Sequence, residues 1–283
     1  MNLLMLSGDT SVVRGERRAF HNTLSEFSNY WDRIDILTHR VRGVARHDCF
    51  ENVTFYPSPW GKMIQPFYVW KKGRALAARR RYDLIVSHDY GFFLHGTGAR
   101  WLSQASGVPY VSEIHHVDGY PRGANVRERL QPILTRRYVR GAMSRALGFR
   151  ITNAGELRPL LRSWSVPAEQ LFLLYSLYLD FDVFRPENTV IEYDAIFVGR
   201  LTPNKAPFLF LEGIAAAARK REGLRVLIIG AGPLGTRLRA RAAGLGPAAS
   251  VEFRDWVAAP RELADMYRRS RCLICTSFSE GGP

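Results

Sequence analysis

Arg200 and Lys205 stand on one short loop, either side of Pro203, directly behind the apolar run Asp194 to Val198. Such a run is the pattern of a strand buried on both faces of a parallel sheet. Gly199 breaks it, and after Pro207 the spacing of Phe208, Leu211, Ile214 and Ala215 predicts an amphipathic helix. A strand ending in glycine, two loop cations and a helix start together make an anion site. The loop supplies charge; the helix N-terminus supplies free N–H groups and a favourable dipole. Read alone, the same residues are equally two solvated loop cations.

Three other groups of residues could do chemistry. Gly230-Ala231-Gly232-Pro233-Leu234-Gly235 follows the strand Arg225 to Ile229 and satisfies G-x-G-x-x-G, with Glu252 where a dinucleotide-binding protein keeps its ribose acid. That unit is preceded by another strand and helix, whereas a dinucleotide fingerprint opens its domain. The strands Asp83 to Ser87 and Pro109 to Ile114 end in His88-Asp89 and His115-His116-x-Asp118, and ligands of open α/β sheets bind at such carboxyl ends. No pair among them has a helical metal spacing such as H-E-x-x-H, so they read as hydrogen-bonding residues of a cleft and no metal site is assigned. Asp180-Phe181-Asp182 is a D-x-D, with Phe184-x-Pro186 after it, at the start of a stretch rich in Pro, Glu and Asn. Cys272 and Cys275 read as buried strand cysteines, since residues three apart on a strand face opposite ways and no second pair accompanies them.

These residues need elements to hold them. Leu3 to Ser7 reads as a first strand, Gly8 to Gly15 as a polar loop and Glu16 to Phe27 as a helix, the opening of a doubly wound α/β domain. Strands follow at Ile34 to Thr38, Val53 to Tyr56, Leu147 to Thr152 and Leu171 to Ser176, with a basic helix over Arg127 to Met143. Residues 1–180 are expected to form a first domain, 181–192 a hinge rich in Pro, Glu and Asn, and 193–283 a second domain. There the strands Val251 to Arg254 and Cys272 to Thr276 flank a helix over Arg261 to Arg269.

Gly199-Arg200-Leu201 with Lys205, then Gly230-x-Gly232-Pro233, then Ser277-x-x-Glu280-Gly281-x-Pro283 resemble the second half of the large retaining glycosyltransferase family of GT-B architecture (group 1, family 4). Likeness extends through nearly all of the chain, but its specific motifs lie in the second domain. The resemblance implies two Rossmann-like α/β domains facing a cleft, and transfer of a hexose from a nucleoside-diphosphate sugar with no cofactor. By it, Arg200 and Lys205 meet the leaving diphosphate, and Glu280 accepts hydrogen bonds from donor-sugar hydroxyls. Gly281 and Gly282 present amides, while Gly199, Gly230 and Gly232 let backbone approach the cleft. Asp255-Trp256-Val257 matches the family's F-x-G-x-V, where the base is held, with Asp255 in place of Gly; Trp256 stacks near the base or packs in the core. Pro109-x-Val111-x-x-x-His115 matches the strand whose histidine contacts the donor sugar. Gly15, in Arg14-Gly15-Glu16-Arg17, matches the glycine-bearing first loop. Attack from the front face, with the leaving phosphate taking the acceptor proton, needs no side-chain base. The family keeps K-G where this chain has Lys205-Ala206. Its pattern continues past Pro283 with a second Glu, so the second domain is expected to be incomplete.

The chain has 283 residues, 46% hydrophobic, enough for two cores. No run of about 18 apolar residues spans a membrane, and Met1 to Thr10 lacks the basic flank and long apolar core of a signal peptide. Three cysteines give no disulfide framework, which fits the cytoplasm. Net charge is +14. Trp60 to Arg81 carries seven basic residues and no acid, and Arg122 to Arg150 carries eight arginines against Glu128. Such clusters call for anionic partners. In Trp60 to Arg81, Trp60, Met63, Ile64, Phe67, Tyr68 and Trp70 precede a basic helix: a packed loop and helix with solvated arginines, or an element at the inner face of a membrane, meeting a lipid-linked or polysaccharide acceptor. Nucleic acid is the lesser candidate, because no recognised motif accompanies the cations. Two other classes stay open: an NAD-dependent oxidoreductase using Gly230 to Gly235, and a non-catalytic membrane- or nucleic-acid-binding module.

Overall fold

The computed structural model describes residues 1–17, 19–175, 180–257 and 259–278. They fall into a first unit, 1–121 with 125–175, and a second, 122–124 with 180–278.

The first unit runs β1 (Asn2–Ser7), α1 (Ala19–Phe27), β2 (Arg33–Thr38), β3 (His47–Cys49), β4 (Val53–Pro57), α2 (Gln65–Ala77) and β5 (Leu84–Asp89). It continues with α3 (Leu94–Ser106), β6 (Tyr110–Ile114), α4 (Val126–Ala142), β7 (Ala146–Ile151), α5 (Leu157–Ser163) and β8 (Leu171–Leu173). Its eight-stranded sheet has the order β3-β4-β2-β1-β5-β6-β7-β8, parallel except for β3. β1 is buried on both faces: Leu4 and Leu6 join one core with α2 to α5, Leu3 and Met5 the opposite core with Phe20 and Leu24 of α1. Each such side chain contributes about 2 kcal/mol of burial. α2 and α3 approach closely because a Cβ on Gly98 would lie 2.7 Å from Val69 and one on Gly73 2.3 Å from Leu102. The chain winds outward in both directions from β1 and β5, so the switch point of this sheet lies between their carboxyl ends, the expected place for a ligand.

The second unit runs β9 (Ala195–Val198), α6 (Pro207–Ala218), β10 (Leu224–Ile229), α7 (Gly235–Ala243), β11 (Ala249–Arg254) and α8 (Pro260–Arg268). β11-β10-β9 form a parallel sheet. Phe197, Val226 and Ile228 pack under α6 and α7, while Ile196, Leu227 and Ile229 pack against Met266 of α8.

Four expectations need correction. The helix expected from Glu16 starts at Ala19, and the loop before it is not wholly polar: Val12 and Val13 are buried in a 3-10 turn capped by Gly15 in the left-handed region. Cys272 to Thr276 is not a strand. It runs beside β9 through one bridge, Ile196 to Leu273. Cys272 and Cys275 are accordingly exposed, not buried.

Candidate functional site

In the second unit the loops after β9, β10 and β11 close on one another. Gly199 N–H donates to the Ile229 carbonyl (2.9 Å), Leu201 N–H to Ala231 (3.0 Å) and Gly230 N–H to Arg254 (2.8 Å). The segment after α8 returns along the far side of β9, so the loop carrying Arg200 and Lys205 sits where the winding reverses. These loops surround a cavity of ≈ 630 Å³ lined by Gly199, Arg200, Lys205, Gly230, Trp256 and Val257, with Ile229 and Leu263 as apolar wall. The structure thus brings together six residues singled out from sequence. Gly232 stands behind them and packs on the Leu201 carbonyl.

The backbone around Lys205 is tied down. Lys205 N–H donates to Thr202, and the Thr276 hydroxyl donates to the carbonyls of Lys205 (2.9 Å) and Ala206 (3.0 Å). Ala206 holds φ +45°, ψ +50°, a left-handed conformation that favours glycine. That accounts for glycine at this step in the family pattern, and shows that alanine keeps the turn. Trp256 is 72% exposed, so it is not a core residue; its indole borders the cavity. Asp255 also lines the cavity, and its carboxylate is paired by Arg239 of α7, which offsets a negative charge beside the two cations. Glu252 lies back along β11, taken up by the Tyr193 hydroxyl (2.6 Å) and Arg254 Nε (3.0 Å). Those two partners, with the bound proton of Tyr193 first, hold its carboxyl below the usual range. It is thereby engaged away from the Gly230 loop, which removes the feature that suggested a ribose acid.

His115 and Gly15 belong to the first unit, where a polar ladder crosses the carboxyl end of the sheet. Neighbouring strands place His88 beside Glu113 and Glu113 beside Arg150. Ser7 Oγ lies 3.2 Å from His88 Nδ1, His88 Nε2 3.1 Å from Glu113 and Arg150 Nη1 3.0 Å from Glu113. His115 Nε2 is 3.8 Å from the same carboxylate. Burial pushes the Glu113 carboxyl up, but the neighbouring imidazoles of His115 and His88 and the Arg150 charge outweigh it and hold it well below the carboxylate range. Sequence reasoning missed Glu113. Its position two before His115 on a strand, hence on the same face, was the available signal. His116 pairs with Asp118 instead (3.0 Å). Asp89 is buried and ties β5 to β6 and α4 by accepting from Ser112 and Tyr138; burial raises its carboxyl to about 6. Asp180 caps a turn, accepting from the Asp182 N–H at 2.9 Å. Among the described residues no group of three or more metal-ligand side chains occurs. Glu280, Gly281 and Gly282 lie outside the described residues.

The Glu113 ladder makes a pH-dependent prediction. A depressed carboxyl contributes stability above its unfolded pKa, near 4.5, and loses it as the pH falls toward the folded value. Glu113→Gln should therefore cost about 3 kcal/mol at pH 7. In urea titrations the gap to the parent should shrink as the pH is lowered from 4.5; a gap that does not change with pH would mean Glu113 acts by packing alone.

A family model described as "Glycosyl transferase 4-like domain" matches residues 23–175, and one described as "Glycosyl transferases group 1" matches residues 182–283. The protein from Catenulispora acidiphila named D-inositol 3-phosphate glycosyltransferase 2 is 32% identical over 222 residues, which cover 70% of this chain and 50% of that protein. The chain spans about half the length of the curated relatives it matches. Anabaena Alr3699/HepE in complex with UDP superposes with a TM-score of 0.67 at 17% identity, over 98% of this chain and 74% of that one. The lipopolysaccharide outer core galactosyltransferase WaaB gives 0.63 at 16%, with the same coverage. At these identities the structures speak to the fold, which is the two-domain GT-B architecture.

Proposed function

The chain belongs to the group 1 glycosyltransferases, and from that premise we propose that it moves a hexose, with retention, from a nucleoside-diphosphate sugar to a glycan or lipid-linked acceptor at the cytoplasmic face of a membrane. The observation that carries this reading is the cavity of the second unit. Breaking the anomeric C–O bond builds negative charge on the leaving diphosphate, and a preorganised cation must meet it. Arg200 offers a planar fork to two phosphate oxygens and Lys205 a point charge, on a loop whose backbone is already fixed. In this reading they serve where other transferases use a metal ion. Ile229, Leu263 and Val257 give an apolar wall for a base, with the Trp256 indole at its rim. His115, steadied by Glu113, is taken to contact the donor sugar. Proton transfer from the acceptor goes to the leaving phosphate, and no side chain is given that role.

The relatives' names favour a second reading of the acceptor, a phosphorylated polyol. The donor half of the proposal is tested by titrating UDP, GDP, ADP and NAD into the full chain while following tryptophan fluorescence. Saturable quenching by a nucleoside diphosphate, lost in Trp256→Phe, is expected. Saturation by NAD alone would overturn the reading in favour of an oxidoreductase.

A further inference from the structure

The helix layer of the first unit ends in an apolar, cation-rimmed surface that its core does not use. α2, α3 and α4 each follow a parallel strand, so their N-terminal turns lie at the carboxyl end of the sheet, and α3 packs against both neighbours. At that end Met63 is 71% exposed and Phe67 45%, while Tyr68 and Val69 turn inward. On α4, Val126 (71%), Leu130 and Ile133 (65%) recur at helical spacing on the outer side, and Gln131, Thr135 and Tyr138 face in. Cations of the same two helices lie over nearby rings: Lys71 lies 5.5 Å from the Trp60 ring, Arg74 5.0 Å from Trp70 and Arg127 5.0 Å from Phe92. The one acid on the two helices, Glu128, is occupied in capping: its N–H donates to Asn125 Oδ1 and its carboxylate accepts from Asn125 Nδ2.

We propose that this surface docks the protein on an anionic lipid bilayer, with the aliphatic residues of the α2 and α4 ends entering the acyl boundary and the cations at the headgroups. Charge decides against a second copy as occupant, because it would set the same acid-poor cations against each other on a chain of net charge +14. Side-chain type decides against nucleic acid. Met63, Val126, Leu130 and Ile133 have no ring on which a base could stack, and the rings of Trp60, Phe67 and Trp70 already stand against one another at 5.6–5.7 Å. Aliphatic side chains beside tryptophan and basic residues are the chemistry of the bilayer interface. The surface lies wholly in the first unit and concerns where the protein sits, so it goes beyond the donor reading and does not depend on it.

The test is co-flotation of the full chain with phosphatidylcholine vesicles containing or lacking phosphatidylglycerol. Binding should require phosphatidylglycerol and weaken as salt is raised. The double variants M63S/F67S and L130S/I133S should each lower the vesicle partition by about tenfold or more, while their melting temperatures and UDP affinity stay at parental values. Parental partition in both variants would overturn the proposal, as would equal binding to uncharged vesicles. So would the absence of vesicle binding alongside either a salt-sensitive complex with an oligonucleotide or a dimer that I133S dissolves. Absence of UDP, GDP and ADP binding in the parent with vesicle binding intact would strike the donor reading alone.

Discussion

Gly230→Ala should lower the melting temperature by about 10 °C or more and remove nucleoside-diphosphate binding. Gly230 has φ +149°, and a Cβ there would lie 1.8 Å from the Gly199 carbonyl oxygen. Neither atom has room to yield. Gly199 N–H is held by Ile229 and Gly230 N–H by Arg254, so the two loops are pinned from both sides. Overpacking of this kind costs about 1–3 kcal/mol, and an L-residue at that φ about 1–3 kcal/mol more. The same contact shapes the cavity wall, so relief by loop movement would displace Arg200. Gly235→Ala in the same motif provides the comparison, because its Cβ would meet only the Leu201 side chain at an ordinary 3.6 Å. That variant should melt within a few degrees of the parent. Calorimetry of the two variants decides the matter: equal melting temperatures would mean that the glycines of this loop do not act by close backbone approach.

How far the architecture could be read from sequence follows from what each element depends on. β1, β5 and β10 carry apolar runs ended by polar residues or glycine, and their burial on both faces makes such runs unambiguous. α3 is different. Gly96 and Gly98 weaken a helical pattern, yet Gly98 is what lets α2 come close, so the packing requirement hides the helix that satisfies it. Cys272 to Thr276 misleads in the opposite direction: an apolar run needs two neighbours to be a buried strand, and here it meets β9 through one bridge. The six cavity residues were visible because each lies beside a strand end, where a sheet gathers its loops. Glu113 and Arg150 were not, because what joins them to His88 is the register of three strands, a long-range property that local spacing does not carry. The pairing of Asp255 with Arg239 was hidden for the same reason, since β11 and α7 must both be in place before the two meet.

Removing the positive charge at Arg200 or Lys205 should then separate binding from folding. Arg200 is exposed and Lys205 is half-buried, and the turn between them is held by main-chain and Thr276 hydrogen bonds that neither side-chain charge provides. Arg200→Ala and Lys205→Met should therefore leave the melting temperature within a few degrees of the parent. Affinity for UDP should fall by about 10- to 100-fold in each, the worth of a charge-assisted hydrogen bond lost from a diphosphate. The loss should be larger in turnover than in binding, about 10²–10³-fold, because charge on the leaving oxygen grows toward the transition state. Arg200→Lys tests geometry apart from charge: it keeps the cation and loses the fork, so it should recover part of the UDP affinity and less of the rate. Titration calorimetry with UDP, beside thermal melts, reads both quantities. Parental affinity in both Arg200→Ala and Lys205→Met would remove the two residues from the site, and with them the reason for placing the diphosphate in this cavity. A fall in affinity that tracks a fall in melting temperature would instead make them structural. Only weakened binding on an intact fold fits two cations held ready for a leaving phosphate.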